Sequence, residues 1–278
     1  MAGISDNLVA QYKMDDNAAS TVVLDSSGNG YHGTSVRNTS LMHTAGKIGG
    51  ALEFNGTSDY INTNSTFSEI FRNSFTINLW VNLVDGQPLF GTKYLFGIDT
   101  TIPESPNDSW CICNYTKQKV LFDFGVCSTT GSGLYILADN PFPDNATGWI
   151  MVTCQITEID ASHISGKLYI NGVLQSNPES ISTAENTLNN YGTEVEYNLF
   201  FGAHNGTQGV PSAGSYISSG KLDDIHIYNK ALSAAEVLYI YRAATCFKRG
   251  LYGGKEKSIY GASGGNFIDT QKSIYGGK

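Results

Sequence analysis

One nine-residue run constrains this chain more than any other. In FTINLWVNL (75–83), Phe75, Ile77, Leu79, Val81 and Leu83 alternate with Thr76, Asn78, Trp80 and Asn82. Successive side chains of a strand point to opposite faces, so this period of two predicts a half-buried strand. It excludes a helix, whose apolar positions recur every three to four residues. VLFDFGV (120–126) and WIMVTCQIT (149–157) obey the same rule. In the second, Ile150, Val152, Cys154 and Ile156 share a face, which makes Cys154 a small core hydrophobe. KLYINGVLQ (167–175) is a hairpin, because Asn171-Gly172 supplies the two positive-φ residues of a type I′ turn. KLDDIHIY (221–228) is a further strand, with Asp223, Ile225 and Ile227 expected on one face. One helix is expected at ALSAAEVLYIYRAA (231–244), where Ser233 and Glu236 form a capping box. Strands in series with turn signals between them predict an antiparallel sandwich or jelly roll.

Composition agrees with that class and removes several functions. The 278 residues suffice for one large β domain or two small ones, and only 15% are charged, which is too few for long solvated helices. The net charge of −8 argues against a general nucleic-acid binder. It is unevenly placed: residues 246–278 carry six Lys/Arg and two Asp/Glu, so the acidic body bears a basic tail. No apolar run approaches the ~20 residues of a membrane span. The start, MAGISDNLVAQYKMDDN, lacks the basic and apolar regions of a secretory leader. Without a leader, the seven Asn-x-Ser/Thr sequons (Asn38, Asn55, Asn64, Asn107, Asn114, Asn145, Asn205) are expected to stay unmodified. The five cysteines (Cys111, Cys113, Cys127, Cys154, Cys246) are an odd number, and Cys111-x-Cys113 has no second pair at zinc-like spacing. They read as reduced, structural or incidental thiols.

Five stretches together resemble a known family: LVAQYKMDDNAASTVVLDSSGNGYHGT (8–34), GKIGGALEFNGTSDYI (46–61), FTINLWVNL, the pair WIMVTCQIT and GKLYINGVLQ, and GKLDDIHIYNKALSAAEVLYIY (220–241). In this order they resemble a laminin-G-like domain of the concanavalin-A-like jelly-roll superfamily, over roughly 8–243. The resemblance implies an all-β fold of two large antiparallel sheets packed face to face, with one short C-terminal helix and an irregular tail. It divides the chain into a sandwich domain (1–245) and a Gly/Tyr/Lys-rich tail (246–278). Members mostly bind glycans, proteins or cell surfaces, often beside a calcium ion, and some relatives in the superfamily are glycosidases.

The resemblance directs attention to three sets of residues. Glycosidases of the superfamily carry Glu-x-Asp-x-x-Glu on a strand, and a retaining pair needs carboxyls about 5 Å apart. Here Glu158-Ile159-Asp160 matches in part, but Ser162 and His163 stand where the third acid would be, so a solvated loop acid is expected and no enzyme. Calcium takes six to eight oxygens from carboxylates, amides and carbonyls on a tight loop. In similar domains the N-terminal loop, here with Asp25 and Asn29, meets the strand bearing an Asp-Asp pair, here Asp223 and Asp224. Either one structural ion joins these four residues, or Asp25 makes an Asx-turn. Lectin-type sites place an aromatic ring under the sugar, and Trp110, Tyr115, Tyr191 and Tyr216 lie in loop-like stretches. Aromatic residues of β proteins also serve packing, the expected role of Trp80 and Trp149.

The tail contains Lys-Ser-Ile-Tyr-Gly at 257–261 and 272–276, and a looser Leu-Tyr-Gly-Gly at 251–254. Some thirty residues without periodicity do not build a core. They form either a passive extension or a docking arm, with Tyr252, Tyr260 and Tyr275 as anchors and Lys meeting acidic groups; repetition would add avidity. A binding domain with such an arm and no leader fits a non-enzymatic component of a virion or similar assembly, made in the host cytoplasm. Its partners would be other protein subunits through 246–278, with glycans or cell-surface ligands for the sandwich. The alternatives are a carbohydrate-binding module or adhesin outside the cell, and then a glycoside hydrolase.

Overall fold

The computed structural model describes residues 4–85, 93–98, 110–116, 119–125, 133–139, 142–143, 145–160, 163–175, 198–203, 217 and 219–246. Among these, sixteen strands form two eight-stranded antiparallel sheets. Sheet A contains β1 (Leu8–Tyr12), β4 (His43–Ala45), β5 (Gly50–Phe54), β7 (Phe75–Leu83), β12 (Ile150–Asp160), β13 (His163–Ile170), β14 (Val173–Leu174) and β16 (Gly220–Tyr228). Sheet B contains β2 (Val22–Val23), β3 (Gly33–Ser35), β6 (Ile61–Asn62), β8 (Lys93–Ile98), β9 (Trp110–Thr116), β10 (Lys119–Gly125), β11 (Gly133–Asp139) and β15 (Phe200–Phe201). Besides the short α1 (Ser68–Phe71), the described residues form one longer helix, α2 (Ala234–Cys246).

The alternation of 75–83 decides where the core lies. Phe75, Ile77, Leu79, Val81 and Leu83 enter the core between the sheets, with Ile150, Val152, Cys154 and Ile156 from β12. At the paired positions Ile77↔Cys154 and Leu79↔Val152 the two strands present matching apolar rows. The strand is not half-buried, however. Its other face is covered as well, because Trp80, Met151, Tyr169 and Tyr228 pack under Leu232, Val237, Ile240 and Ala244 of α2 and the turn before it. Tyr241 stacks on Trp80 at 5.7 Å between ring centroids. The helix starts where the capping box places it: Ser233 N–H donates to Glu236 Oε2 (2.7 Å) and Glu236 N–H to Ser233 Oγ (3.3 Å).

The hairpin at 167–175 turns at Asn171 (φ 52°) and Gly172 (φ 78°), as the type I′ turn requires. A Cβ at Gly172 would also come within 3.2 Å of Leu238 and Tyr241, so the turn seats the helix. One expected face assignment changes. Leu222, Ile225 and Ile227 face the core, but Asp223 does not: it pairs with Trp80 on the helix-covered side. The ladder with β7 shifts register between Asp223 and His226, and Asp224 sits at φ 45°. This bulge adds a residue and reverses the parity that a regular strand would have kept.

Candidate functional site

The N-terminal loop closes on Asp25. Its Oδ1 accepts from the Gln11 amide (2.9 Å) and the Ser27 amide (2.9 Å). Its Oδ2 accepts from Ser27 Oγ (2.8 Å) and the Tyr31 amide (3.0 Å). The bond to Ser27 N–H is the Asx-turn. Burial pushes the Asp25 carboxyl up, but the donors of Gln11, Ser27 and Tyr31 together outweigh it, and its pKa lies below the usual carboxylate value. Asn29 Nδ2 donates to the Val9 carbonyl at 2.9 Å. Loop and first strand are therefore tied by the residues' own polar atoms.

Asp223 and Asp224 occupy a fork. One side of β16 pairs with β7; the other pairs with β5 at 220–222 and with β1 at 225–228. The gap is filled by the turn before β5. Asp223 Oδ2 accepts from the amides of Lys47 (2.7 Å) and Ile48 (2.9 Å), and Asp15 accepts from the Gly50 amide. Gly46 allows this approach, since a Cβ there would lie 1.9 Å from the Gly50 carbonyl oxygen. Asp223 is fully buried, and burial pushes its carboxyl up to about 8, with Asp224 and Asp15 adding to the rise against the Ile48 and Lys47 amides. Asp223 Oδ1 and Asp224 Oδ2 are buried and accept no hydrogen bond among the described residues.

A buried polar ladder runs from the fork across sheet A. Gln11 Nε2 lies 3.4 Å from Asp224 Oδ1, which lies 3.4 Å from His226 Nε2. His226 Nδ1 is 3.4 Å from Asn78 Oδ1, and Asn78 Nδ2 donates to Thr153 Oγ1 (2.9 Å). Burial lowers the His226 pKa, although Asp224 pulls the other way. None of Gln11, Asn78, Thr153 or His226 was a candidate from the sequence. Each sits at the polar parity of a strand that reads as solvent-facing until α2 is known to cover that face.

Of the four expected metal ligands, the structure keeps Asp25 with Asn29 and Asp223 with Asp224. It separates the two pairs by β1, whose Tyr12 bridges Asp25 on one side and pairs with Ile225 on the other. No group of three His, Cys, Asp or Glu arranged to hold a metal occurs among the described residues. The four do not fit one ion. The fork alone has carboxylate oxygens to spare.

Glu158 and Asp160 lie at the end of β12, not in a loop. The ladder with β13 shifts register between them. The Glu158 amide donates to Ser74 Oγ (2.9 Å). Across sheet B, one row of register partners links Val22, Thr34, Asn62, Phe200, Gly97, Cys111, Asp123 and Tyr135. On β9, Tyr115 falls at the register shift where Lys119 pairs with Thr116 and Val120 with Asn114, and Ile112 pairs with Phe122, which pairs with Ile136. Trp110 and Tyr115 both lie in a strand where the sequence suggested loops. Tyr191, Tyr216, Tyr252, Tyr260 and Tyr275 lie outside the described residues. Trp80 is buried and Trp149 packs beside it, both as packing residues.

The family model for the concanavalin A-like lectin/glucanases superfamily (Laminin_G_3) matches residues 55–238. No curated protein matches the chain. Among solved structures, the chain is similar to the botulinum neurotoxin type G receptor binding domain, at 15% identity and TM-score 0.55, over 85% of this chain and 51% of that one. It is similar to the binding domain of botulinum neurotoxin DC in complex with rat synaptotagmin II, at 16% identity and TM-score 0.56, over 87% and 52%. A third likeness, at 14% identity and TM-score 0.58 over 87% and 52%, is to a botulinum neurotoxin type C structure whose cell entry depends on interaction with two ganglioside molecules. The chain spans about half the length of these three. At such identities the likeness establishes the fold, a lectin-like sandwich.

Proposed function

The chain belongs to the concanavalin A-like lectin/glucanase superfamily, and from that membership we propose a non-catalytic recognition and structural protein. The sandwich (1–245) is displayed, or serves as a spacer, on a virion or similar large assembly, and residues 246–278 anchor it to other subunits. Synthesis is in the host cytoplasm. The observation that carries this reading is the join between body and tail. The basic, repeated tail follows a helix that is capped at Ser233, clamped by the Lys230–Glu236 ion pair (2.7 Å) and stacked on Trp80. The tail thus starts from a helix held against sheet A. The non-catalytic part draws on Ser162 and His163, which stand where glycosidases of the superfamily carry the third acid.

For a structural calcium ion the fork is the better place than Asp25, because Asp223 Oδ1 and Asp224 Oδ2 accept no hydrogen bond among the described residues while both oxygens of Asp25 do, and these two supply only part of the six to eight ligands that calcium takes. Quantitative mass spectrometry of particles purified from the native source tests the assembly role: the protein should be present at a fixed ratio to the major subunit, and absence from every particle fraction would refute it. The second reading, a carbohydrate-binding module or adhesin at a cell surface, is favoured by the superfamily itself. Glycan-array binding by the full-length protein, lost in Tyr115→Ala, would put that reading first.

A further inference from the structure

The face of sheet B nearest the N-terminal loop carries an apolar patch. Val23, Gly33 and Ser35 are buried, so the residues between and beside them face outward: Val22 (45% exposed), Leu24 (52%) and Val36 (40%). Val22 pairs with Thr34, so all three lie on one surface of the β2–β3 ribbon. The edge of that ribbon is closed to another strand. The Val22 amide donates to Ser20 Oγ (3.2 Å) and the Leu24 amide to Asp16 Oδ1 (3.2 Å). With its outward amides capped, β2 does not extend the sheet sideways, and the patch is reached from above. Asp16, half-buried against the edge, makes no ion pair among the described residues.

The repeat Lys-Ser-Ile-Tyr-Gly is complementary to such a surface, with two adjacent apolar residues and a cation two residues before them. Position selects the copy. α2 lies on the outer side of sheet A, and the patch lies on the outer side of sheet B, across the sandwich. The eleven residues from Cys246 to Lys257 extend at most roughly 40 Å, and a route to the chain's own patch has to pass round the edge of the sandwich, whereas a neighbour's patch can face the tail. We propose that the repeats at 257–261 and 272–276 dock on the β2–β3 face of a neighbouring copy, Ile and Tyr on Val22, Leu24 and Val36, and Lys toward Asp16. The association is head-to-tail, and the ten residues between repeats let one tail bridge two bodies within roughly 35 Å. This inference rests on the reading of the tail as a docking arm.

The test is zero-length carbodiimide cross-linking of the full chain, as an equal mixture of ¹⁴N and ¹⁵N protein. Cross-links from Lys257 or Lys272 to Asp16 are expected in mixed-isotope pairs. Their yield should fall at least tenfold in Leu24→Ser/Val36→Ser, whose exposed positions leave the fold intact by circular dichroism. Cross-links confined to single chains, an unchanged yield in the double variant, or Asp16 joined only to other lysines would each overturn the proposal. The anchoring role fails separately: these cross-links can form in a protein that never travels with a particle, and a particle-bound protein can lack them.

Discussion

Replacing Asp25 with alanine should destabilise the sandwich even in a chelator. The carboxylate accepts four hydrogen bonds, three of them from main-chain amides. Gln11 is buried, so its amide would be left without water or protein partner, at about 1–3 kcal/mol. Ser27 and Tyr31 are half-buried, and water can partly replace the carboxylate there, at roughly 0.5–1 kcal/mol each. The sum is about 2–5 kcal/mol, read as a lowered urea midpoint at unchanged slope. Asp25→Asn keeps Oδ1 for Gln11 and Ser27 but turns an amide donor toward the Tyr31 amide, so it should lose roughly half as much. The pKa of Asp25 is depressed in the folded state, so its contribution is present above the ordinary carboxylate range and lost as pH falls through the folded value. Stability of Asp25→Ala within about 0.5 kcal/mol of the parent, in EDTA at neutral pH, would refute the argument that these bonds hold the loop.

Asp223 predicts the opposite pH response. Its folded pKa, about 8, is above the unfolded value, so stability is fully present below the unfolded pKa and falls as pH rises toward 8. Asp223→Asn, measured in EDTA, should flatten that slope; an unchanged slope assigns it elsewhere. Gly172→Val introduces a Cβ at φ 78° and 3.2 Å from Leu238 and Tyr241, and should cost about 2 kcal/mol or more in urea unfolding. Cys154 is fully buried with its thiol pKa raised by that burial, so iodoacetamide should label it only after denaturation. Calcium at 1 mM should raise the melting temperature of the chelated protein only while Asp223 and Asp224 are intact; an equal rise in Asp223→Asn/Asp224→Asn would remove the ion from the fork.

The core was legible because it depends on local period. Phe75 to Leu83 and Ile150 to Ile156 alternate, and both rows lie between the sheets. The cap at Ser233 and the turn at Asn171-Gly172 were legible because three or four neighbouring residues suffice to make them. The fork was not. A regular strand puts Asp223 with Ile225 and Ile227, and one bulged residue at Asp224 reverses that assignment. The polar ladder was hidden for a related reason. Asn78, Thr153 and His226 take the polar phase of their strands, and the burial of that phase depends on α2, more than one hundred and fifty residues after Asn78 in the chain. The chemistry of Asp25 offered two local solutions, ion or turn, and the amide of Gln11, fourteen residues away, supplies the donor that sequence spacing does not reveal.

The most direct test of the assembly role is density-gradient sedimentation in the native source extract, comparing the full chain with Tyr252→Ser/Tyr260→Ser/Tyr275→Ser. The account predicts that the parent travels with a large particle while the triple variant, with its melting temperature unchanged, stays near the top of the gradient. Sedimentation of both as the same small species would contradict it and make the tail a passive extension of a soluble lectin-like domain.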